Sequence, residues 1–501
     1  MATAVDLEPA DSEPKSDLAA DDIGAPVGKL AAQVAHQIES TVIRRNWPVG
    51  ESLGSEVDLR EHFGVSRSVL REAVRLVEHH QVARMRRGPN GGLFVCAPDA
   101  GPATRAMVIY LEYVGTSVTD LLQARLLLEP VAAGLAADQI TEEGIETLRA
   151  ILTDEAEHRH EPGMASQDPL HPELGRLSGN PVLHLFIDVL TRLTARYANT
   201  SRRISKVEIL TAKENSQEAH RAIVEAVIAG DGARAQTTLS AHLQSVAAWI
   251  EKHRVRRGSR ISGRVVEPEM VEGPRAKLAE VVAARIHDDI AAGGWQIDSV
   301  LGSEADLLAR YGISRSVLRE AVRLLEYHSV ARMRRGPGGG LIVAAPEPQA
   351  SIDTMALFLE YQGVTADDLQ TVRNTIELGT VARVTARYGD GDGDTEVAER
   401  LAVAARWATE GSADDPRKAD LFHTELAQLA GNPVLSLFLA ILTELFGRHP
   451  AGHDRQLTGD KAAAEAQHVH QRILDAIVAG DAGVARHRMR RHLDTLMPWW
   501  H

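Results

Sequence analysis

The chain has 501 residues, of which 44% are hydrophobic and 25% charged, and a formal net charge of −14; by length alone this suits a globular protein of roughly three or four domains. Its single cysteine, Cys96, excludes an intrachain disulfide and a cysteine-rich zinc site and fits a reducing cytoplasm. No segment has the length of an uninterrupted membrane span, and residues 1–25 are acidic and lack the apolar core of a signal peptide, so a cytoplasmic protein with a disordered acidic tail is expected.

In chain order, Leu30, Val34, Ile38 and Val42 recur every four residues and predict an amphipathic helix that ends before Trp47-Pro48-Val49-Gly50. A shorter amphipathic helix follows in Ser55 to Phe63, and Gly64-Val65-Ser66 is a tight turn into a helix for which Ser66 is the N-cap. In that helix Val69, Leu70, Ala73, Val74 and Val77 form an apolar stripe, while Arg67, Arg71 and Arg75 follow at i, i+4 and i+8 as a basic ridge. The pair of helices reads as a helix-turn-helix. Next, Val82 to Arg87 and Leu93 to Val95 flank Gly88-Pro89-Asn90-Gly91-Gly92, a hairpin signal that predicts a wing with Arg86 and Arg87 at its tip. From Arg67 to Arg87 six arginines face only Glu72 and Glu78. A basic island in an acidic chain calls for a polyanionic partner rather than a merely solvated face.

The stretch Ser66 to Leu76, SRSVLREAVRL, reappears unchanged as Ser314 to Leu324, and the flanking motifs keep the same offset of 248 residues. The chain is therefore a duplicated two-domain unit. After each wing the strand signals vanish. Ser117-x-x-Asp120 and Thr365-x-x-Asp368 resemble capping boxes, Asn180-Pro181 and Asn432-Pro433 are helix starts, and Ala229-Gly230-Asp231 and Ala479-Gly480-Asp481 end one helix and begin the next. The expected fold is mainly α: two repeats, each a winged helix-turn-helix domain followed by an all-α helical bundle. The expected boundaries are 1–25 tail, 26–98 and 274–346 winged helices, 99–252 and 347–501 helical domains, and 253–273 linker.

Within the helical domains Asp168, His171, His220 and His242 have counterparts in Asp420, His423, His470 and His492, the last two histidines being 22 residues apart in both repeats. Three imidazoles and a carboxylate suit zinc, nickel or a similar divalent ion with positions left open for a ligand. Pro169 and Pro172 bracket His171, so Asp168 is expected to spend its carboxylate on backbone N–H groups, leaving the second site the more fully occupied.

These motifs resemble the GntR superfamily of bacterial transcription regulators, in its FadR-type branch with the helical FCD effector domain. The resemblance covers nearly the whole chain twice, through L-G-S-E-x-x-D-L, G-[VI]-S-R-S-V-L-R-E-A-V-R-L, R-R-G-P-x-G-G-L-x-V, the helix with R-x-x-x-E, and D-x-[LF]-H followed by G-N-P-V-L and the late histidines. It implies DNA contacts by Arg67, Ser68, Arg71, Arg75, Arg87 and Gly88 and by Arg315, Ser316, Arg319, Arg323, Arg335 and Gly336. It further implies a metal held by Asp and three His in each repeat, with a small carboxylate-type effector engaging it, for which Arg125 and Arg373 are the expected effector-binding residues. Two departures stand out: relatives commonly have L-P-S-E-R-E-L where this chain has Gly54 and Val57, or Gly302 and Ala305, and the Asp stands three rather than four residues before the first His. The partners implied are double-stranded operator DNA and a small molecule, in an intramolecular pseudo-dimer. The competing functions are a metal-dependent enzyme, against which no nucleophile motif or phosphate loop is present, and a metal-binding architectural DNA-binding protein without effector.

Overall fold

The computed structural model describes residues 27–88, 91–98, 100–158, 168–198, 205–253, 274–334, 336, 338–389, 399–403, 421–448 and 460–496. In the first repeat α1 (Val27–Arg44), α2 (Glu56–Phe63), α3 (Arg67–His79), β1 (Ala83–Arg86) and β2 (Gly92–Val95) precede α4 (Ala100–Tyr113), α5 (Val118–Asp138), α6 (Glu142–Glu157), α7 (Leu170–Leu177), α8 (Pro181–Ala198), α9 (Lys206–Ile228) and α10 (Gly232–His253). The second repeats the order with α11 (Pro274–Ala292), β3 (Val300–Gly302), α12 (Glu304–Tyr311), α13 (Arg315–Tyr327), β4 (Ala331–Arg334) and β5 (Gly340–Val343). Its helical domain holds α14 (Pro348–Tyr361), α15 (Ala366–Gly389), α16 (Leu421–Leu429), α17 (Pro433–Arg448), α18 (Asp460–Val478) and α19 (Ala482–Leu496).

The turn between α2 and α3 is specified locally. Ser55 and Asp58 form a reciprocal capping box at the start of α2, and Gly64, at φ 63°, closes it in the left-handed conformation that glycine adopts without a Cβ penalty. Two residues later the Ser66 side chain accepts from Val69 N–H at 3.3 Å and starts α3. The stripe Val69, Leu70, Ala73, Val74 and Val77 is buried against Val34, Ile38 and Val42 of α1 and Leu93 and Val95 of β2. β1 and β2 pair antiparallel from Ala83↔Val95 to Arg86↔Gly92. The second wing has the same hairpin, Ala331↔Val343 to Arg334↔Gly340, and adds β3 through Val300↔Ile342. In the first repeat the equivalent segment hydrogen-bonds β2 through Gly50, Glu51, Leu53 and Gly54 but forms the isolated bridge Ser52↔Phe94 rather than a strand. This third strand is not apparent in the sequence.

Each winged-helix core is completed by a helix of the other repeat. In the compact unit that contains the first winged helix, α14 buries Leu357 in its core, and Tyr361 meets Trp47 edge-on at 5.4 Å. Around the second, Ile109 and Tyr113 of α4 pack on the core, and Tyr113 meets Trp295 edge-on at 5.3 Å.

The two helical domains pack on each other through α5, α8, α15 and α17. Phe186 and Phe438, both fully buried, stack with centroids 3.7 Å apart and planes at 15°. Asn180 caps α8 through its Oδ1, which accepts from Val182 and Leu183 N–H, and turns its Nδ2 to donate to the carbonyl of Asp368 at 3.0 Å. Asn432 does the same in reverse, capping α17 and donating to the carbonyl of Asp120 at 3.0 Å. A contact made twice in this way is isologous, the signature of a twofold pair. Gly379 allows the approach, since a Cβ there would stand 2.7 Å from Leu127. Truncating either ring, Phe186→Ala or Phe438→Ala, should cost about 3–5 kcal/mol. A chemical-denaturation midpoint for the helical domains unchanged in both variants would contradict that.

Candidate DNA interface and metal centre

Arg67, Arg71 and Arg75 stand on the solvent face of α3 with side chains 61%, 63% and 74% exposed. Each already has a carboxylate nearby: Glu56 lies 2.6 Å from Arg67 and 3.7 Å from Arg71, and Glu72 lies 2.8 Å from Arg75. In the second repeat Glu304 is 3.5 Å from Arg315 and Glu320 is 3.2 Å from Arg323, while Arg319 is exposed on the same face. Exposed pairs of this kind are worth about 0–1 kcal/mol, so a phosphate or base edge displaces the glutamate at little cost. They hold the guanidinium groups in place near the helix N-terminus without removing them from use. Ser68 and Ser316 lie on the same exposed face and hydrogen-bond Ser66 and Ser314 at 2.9 Å.

At the wing, Arg87 and Gly88 are exposed, Arg86 lies over the Phe94 ring at 4.3 Å, and Gly88 and Gly336 take φ of 119° and 98°. Arg335 falls outside the described residues. The wing turn needs glycine for space as well: a Cβ on Gly91 would lie 2.5 Å from the Arg86 carbonyl oxygen. Helix ridge and wing thus flank the same solvent side of one rigid core, the arrangement by which a winged helix-turn-helix enters DNA.

The candidate metal centre of the first repeat is built on α5, α7, α9 and α10. His171, His220 and His242 are all buried, and their ring nitrogens converge, with Nε2 of His220 3.3 Å from Nε2 of His242. The outer nitrogens are held: Nδ1 of His171 meets Glu129 at 2.5 Å, Glu129 in turn takes the Nε–H of Arg125, and Nδ1 of His220 meets Glu155 at 2.9 Å. A carboxylate on Nδ1 fixes the N–H there and leaves the Nε2 lone pair pointing inward. Asp168 serves both purposes the sequence leaves open. Its Oδ1 accepts from Leu170 N–H at 3.3 Å, while Oδ2 stands 3.2 Å from Nε2 of His171 and 3.7 Å from Nε2 of His220. Sequence reasoning did not assign Glu129, Glu377 or Glu155 to the site; Glu129 and Glu377 belong to the R-x-x-x-E helix, whereas no motif marks Glu155, which lies across the undescribed residues 159–167 from Asp168.

The second repeat brings His423, His470 and His492 together in the same way, with Nε2 of His492 3.0 Å from that of His470 and 3.3 Å from that of His423. Glu377 holds Nδ1 of His423 and accepts from Arg373 Nε at 2.6 Å. Asp420 lies outside the described residues.

The charges agree with a cation site. Burial works against ionising Glu129, but Arg125 and His171 overcome it and bring its pKa down to about 2. Glu377, opposed by burial and favoured by His423 and Arg373, is likewise brought to about 2. Burial also disfavours charge on His171, yet Asp168 and Glu129 outweigh it and push the imidazole up to about 9. His242 and His492 are pulled to about 3, by burial first and then by their imidazole neighbours, and are neutral ligands at pH 7. Arg125 and Arg373 are 5% and 4% exposed, and each donates to the glutamate that holds the first histidine of its cluster, which puts both arginines beside the sites. Donors about 2.0–2.1 Å from one ion stand about 2.8–3.4 Å from each other at octahedral or tetrahedral angles, and the Nε2–Nε2 distances of 3.0 and 3.3 Å fall in that range.

Residues 30–95 and 278–340 match the model of "Bacterial regulatory proteins, gntR family", and residues 120–245 and 368–495 that of the FCD domain. Among curated relatives, the HTH-type transcriptional regulator LutR of Bacillus subtilis (strain 168) is 30% identical over 39% of this chain and 90% of its own length. The HTH-type transcriptional repressor NanR of Enterobacter sp. (strain 638) is 27% identical over 44% of this chain and 85% of its own, and the Uxu operon regulator of Haemophilus influenzae 24% over 44% and 81%. Of solved structures, Streptococcus agalactiae GntR aligns with 44% of this chain and 99% of its own at 25% identity and a TM-score of 0.31. Each of these curated relatives thus has about the length of one repeat.

A metal at these sites stabilises the folded chain by mass action, about 2.7 kcal/mol at a free concentration a hundred times the dissociation constant. Adding Zn2+ or Ni2+ to chelator-stripped protein should raise the thermal midpoint, and His242→Ala with His492→Ala should abolish the rise. A midpoint indifferent to metal in the unmutated chain would rule the sites out.

Proposed function

Because the chain belongs to the gntR family of bacterial regulatory proteins, with an FCD domain in each repeat, we propose that this DNA-binding transcription regulator changes its operator affinity when a small carboxylate metabolite binds a metal in the helical domains. The families and relatives it matches are those of transcription regulators, not enzymes. The observation that carries the effector part is the convergence of three buried imidazoles in each helical domain beside a buried arginine anchored by a glutamate.

A divalent ion held by His171, His220, His242 and Asp168, or by His423, His470 and His492, would supply a Lewis-acidic position for a carboxylate oxygen. Arg125 and Arg373 would add the matching charge, since guanidinium and carboxylate are complementary in shape as well as sign. Glu129 and Glu377 orient both the first histidine and the arginine of their site, so a ligand that pulls on the arginine also moves a metal ligand. That coupling is the route by which occupancy would be felt along α5 and α15. On the DNA side, Arg67, Ser68, Arg71, Arg75, Arg87 and Gly88, with Arg315, Ser316, Arg319, Arg323, Arg335 and Gly336, form the contacting set. The exposed recognition surfaces are the same in both repeats, so the two half-sites share a core sequence. With the two repeats joined by a linker of some twenty residues, at an effective concentration on the order of millimolar, one chain takes the role that two single-repeat chains have in relatives.

DNA fragments selected by the purified protein supply the test. Arg71→Ala and Arg319→Ala should each weaken binding to the selected operator by about 1–3 kcal/mol and weaken binding to random DNA less; wild-type binding by both variants would show the recognition helix to be wrongly placed. Carboxylates drawn from the metabolism encoded beside the selected sites should shift operator affinity only when metal is present. A shift that survives chelation would remove the metal from the reading.

A further inference from the structure

The two metal sites have diverged in one support. In the first, Glu155 accepts from Nδ1 of His220 at 2.9 and 3.1 Å from its two oxygens, and its side chain is only 16% exposed. In the second, Nδ1 of His470 is buried and has no hydrogen-bond partner among the described residues. The wall around the imidazole also differs: Phe422, at the place of Leu170, stacks on His470 with centroids 4.3 Å apart and planes at 12°.

The consequence for a metal follows from the tautomers. To ligate through Nε2, a neutral imidazole must carry its proton on Nδ1. Glu155 enforces that form in His220, and a carboxylate on the outer nitrogen also raises the basicity of the inner one. His470 meets no such demand. With the proton on Nε2 it donates to Nε2 of His492, 3.0 Å away, and a metal has to break that bond and leave a buried Nδ1–H unsatisfied.

We propose that the two sites are unequal, the first holding its divalent ion more tightly than the second, and that Glu155 is the positioning residue that makes the difference. This inference rests on the metal reading above and reverses the order of occupancy that Pro169 and Pro172 suggest from sequence. Removing such an outer partner typically costs 10- to 100-fold in metal affinity, which sets the size of the expected gap.

The full-length chain, stripped by chelator and titrated with Zn2+ against a chromophoric competitor, should bind two equivalents in two classes at least about 10-fold apart. His242→Ala should delete the tight class and His492→Ala the weak one. Glu155→Gln, which keeps an acceptor but not the charge, should loosen the tight class, Glu155→Ala should loosen it further, and both should leave the weak class and the far-ultraviolet circular dichroism unchanged. Substituted Co2+ reports the same order spectroscopically, its absorption at the first site shifting in the glutamine variant. Two equivalents of equal affinity, a tight class indifferent to both Glu155 variants, or a tight class lost with His492→Ala would each overturn the proposal while leaving a metal-dependent regulator intact. No bound Zn2+ in the unmutated chain would overturn both.

Discussion

The pairing of the two helical domains is the constraint on which the rest depends. Phe186 and Phe438 are each fully buried only because the other is there, and the two asparagine caps each spend one end on their own helix and the other on a carbonyl of the opposite repeat. An asparagine that caps and bridges at once ties the start of α8 or α17 to the position of the neighbouring bundle. A duplicated sequence that makes the same contact in both directions satisfies within one chain what a homodimer satisfies with two.

The winged helices extend this exchange. Trp47 is covered by Tyr361 and Trp295 by Tyr113, so each winged helix finishes its core with a side chain from the helix that follows the other one. Neither repeat is therefore a self-sufficient regulator with a second copy appended. The two histidine clusters lie in the bundles that also pair, and helices α5 and α15 carry the arginine, the glutamate and part of the pairing surface.

Much of this was legible in the sequence, because the features concerned are local. Ser55, Ser66, Ser117, Asn180 and Asn432 announce helix starts within three residues, the apolar stripe of α3 follows from its period, and the offset of 248 residues reveals the duplication. The clustered histidines were legible for another reason: they recur at matching places in both copies. What stayed hidden depends on distant partners. β3 exists only because Val300 finds Ile342, and its three residues carry no alternation of their own. The crossed docking joins Trp47 to Tyr361, far apart in the chain, with nothing in either neighbourhood to name the other. No repeated motif marks Glu155, so the comparison that exposed the histidines passes over it.

The central claim, that one polypeptide does the work of a dimer, is tested most directly by the stoichiometry of the complex on a minimal operator, measured by light scattering together with footprinting. The account predicts one chain protecting two half-sites about 34 Å apart, one helical turn, on one face of the duplex. Two chains required for that footprint, or a single half-site protected per chain, would contradict it.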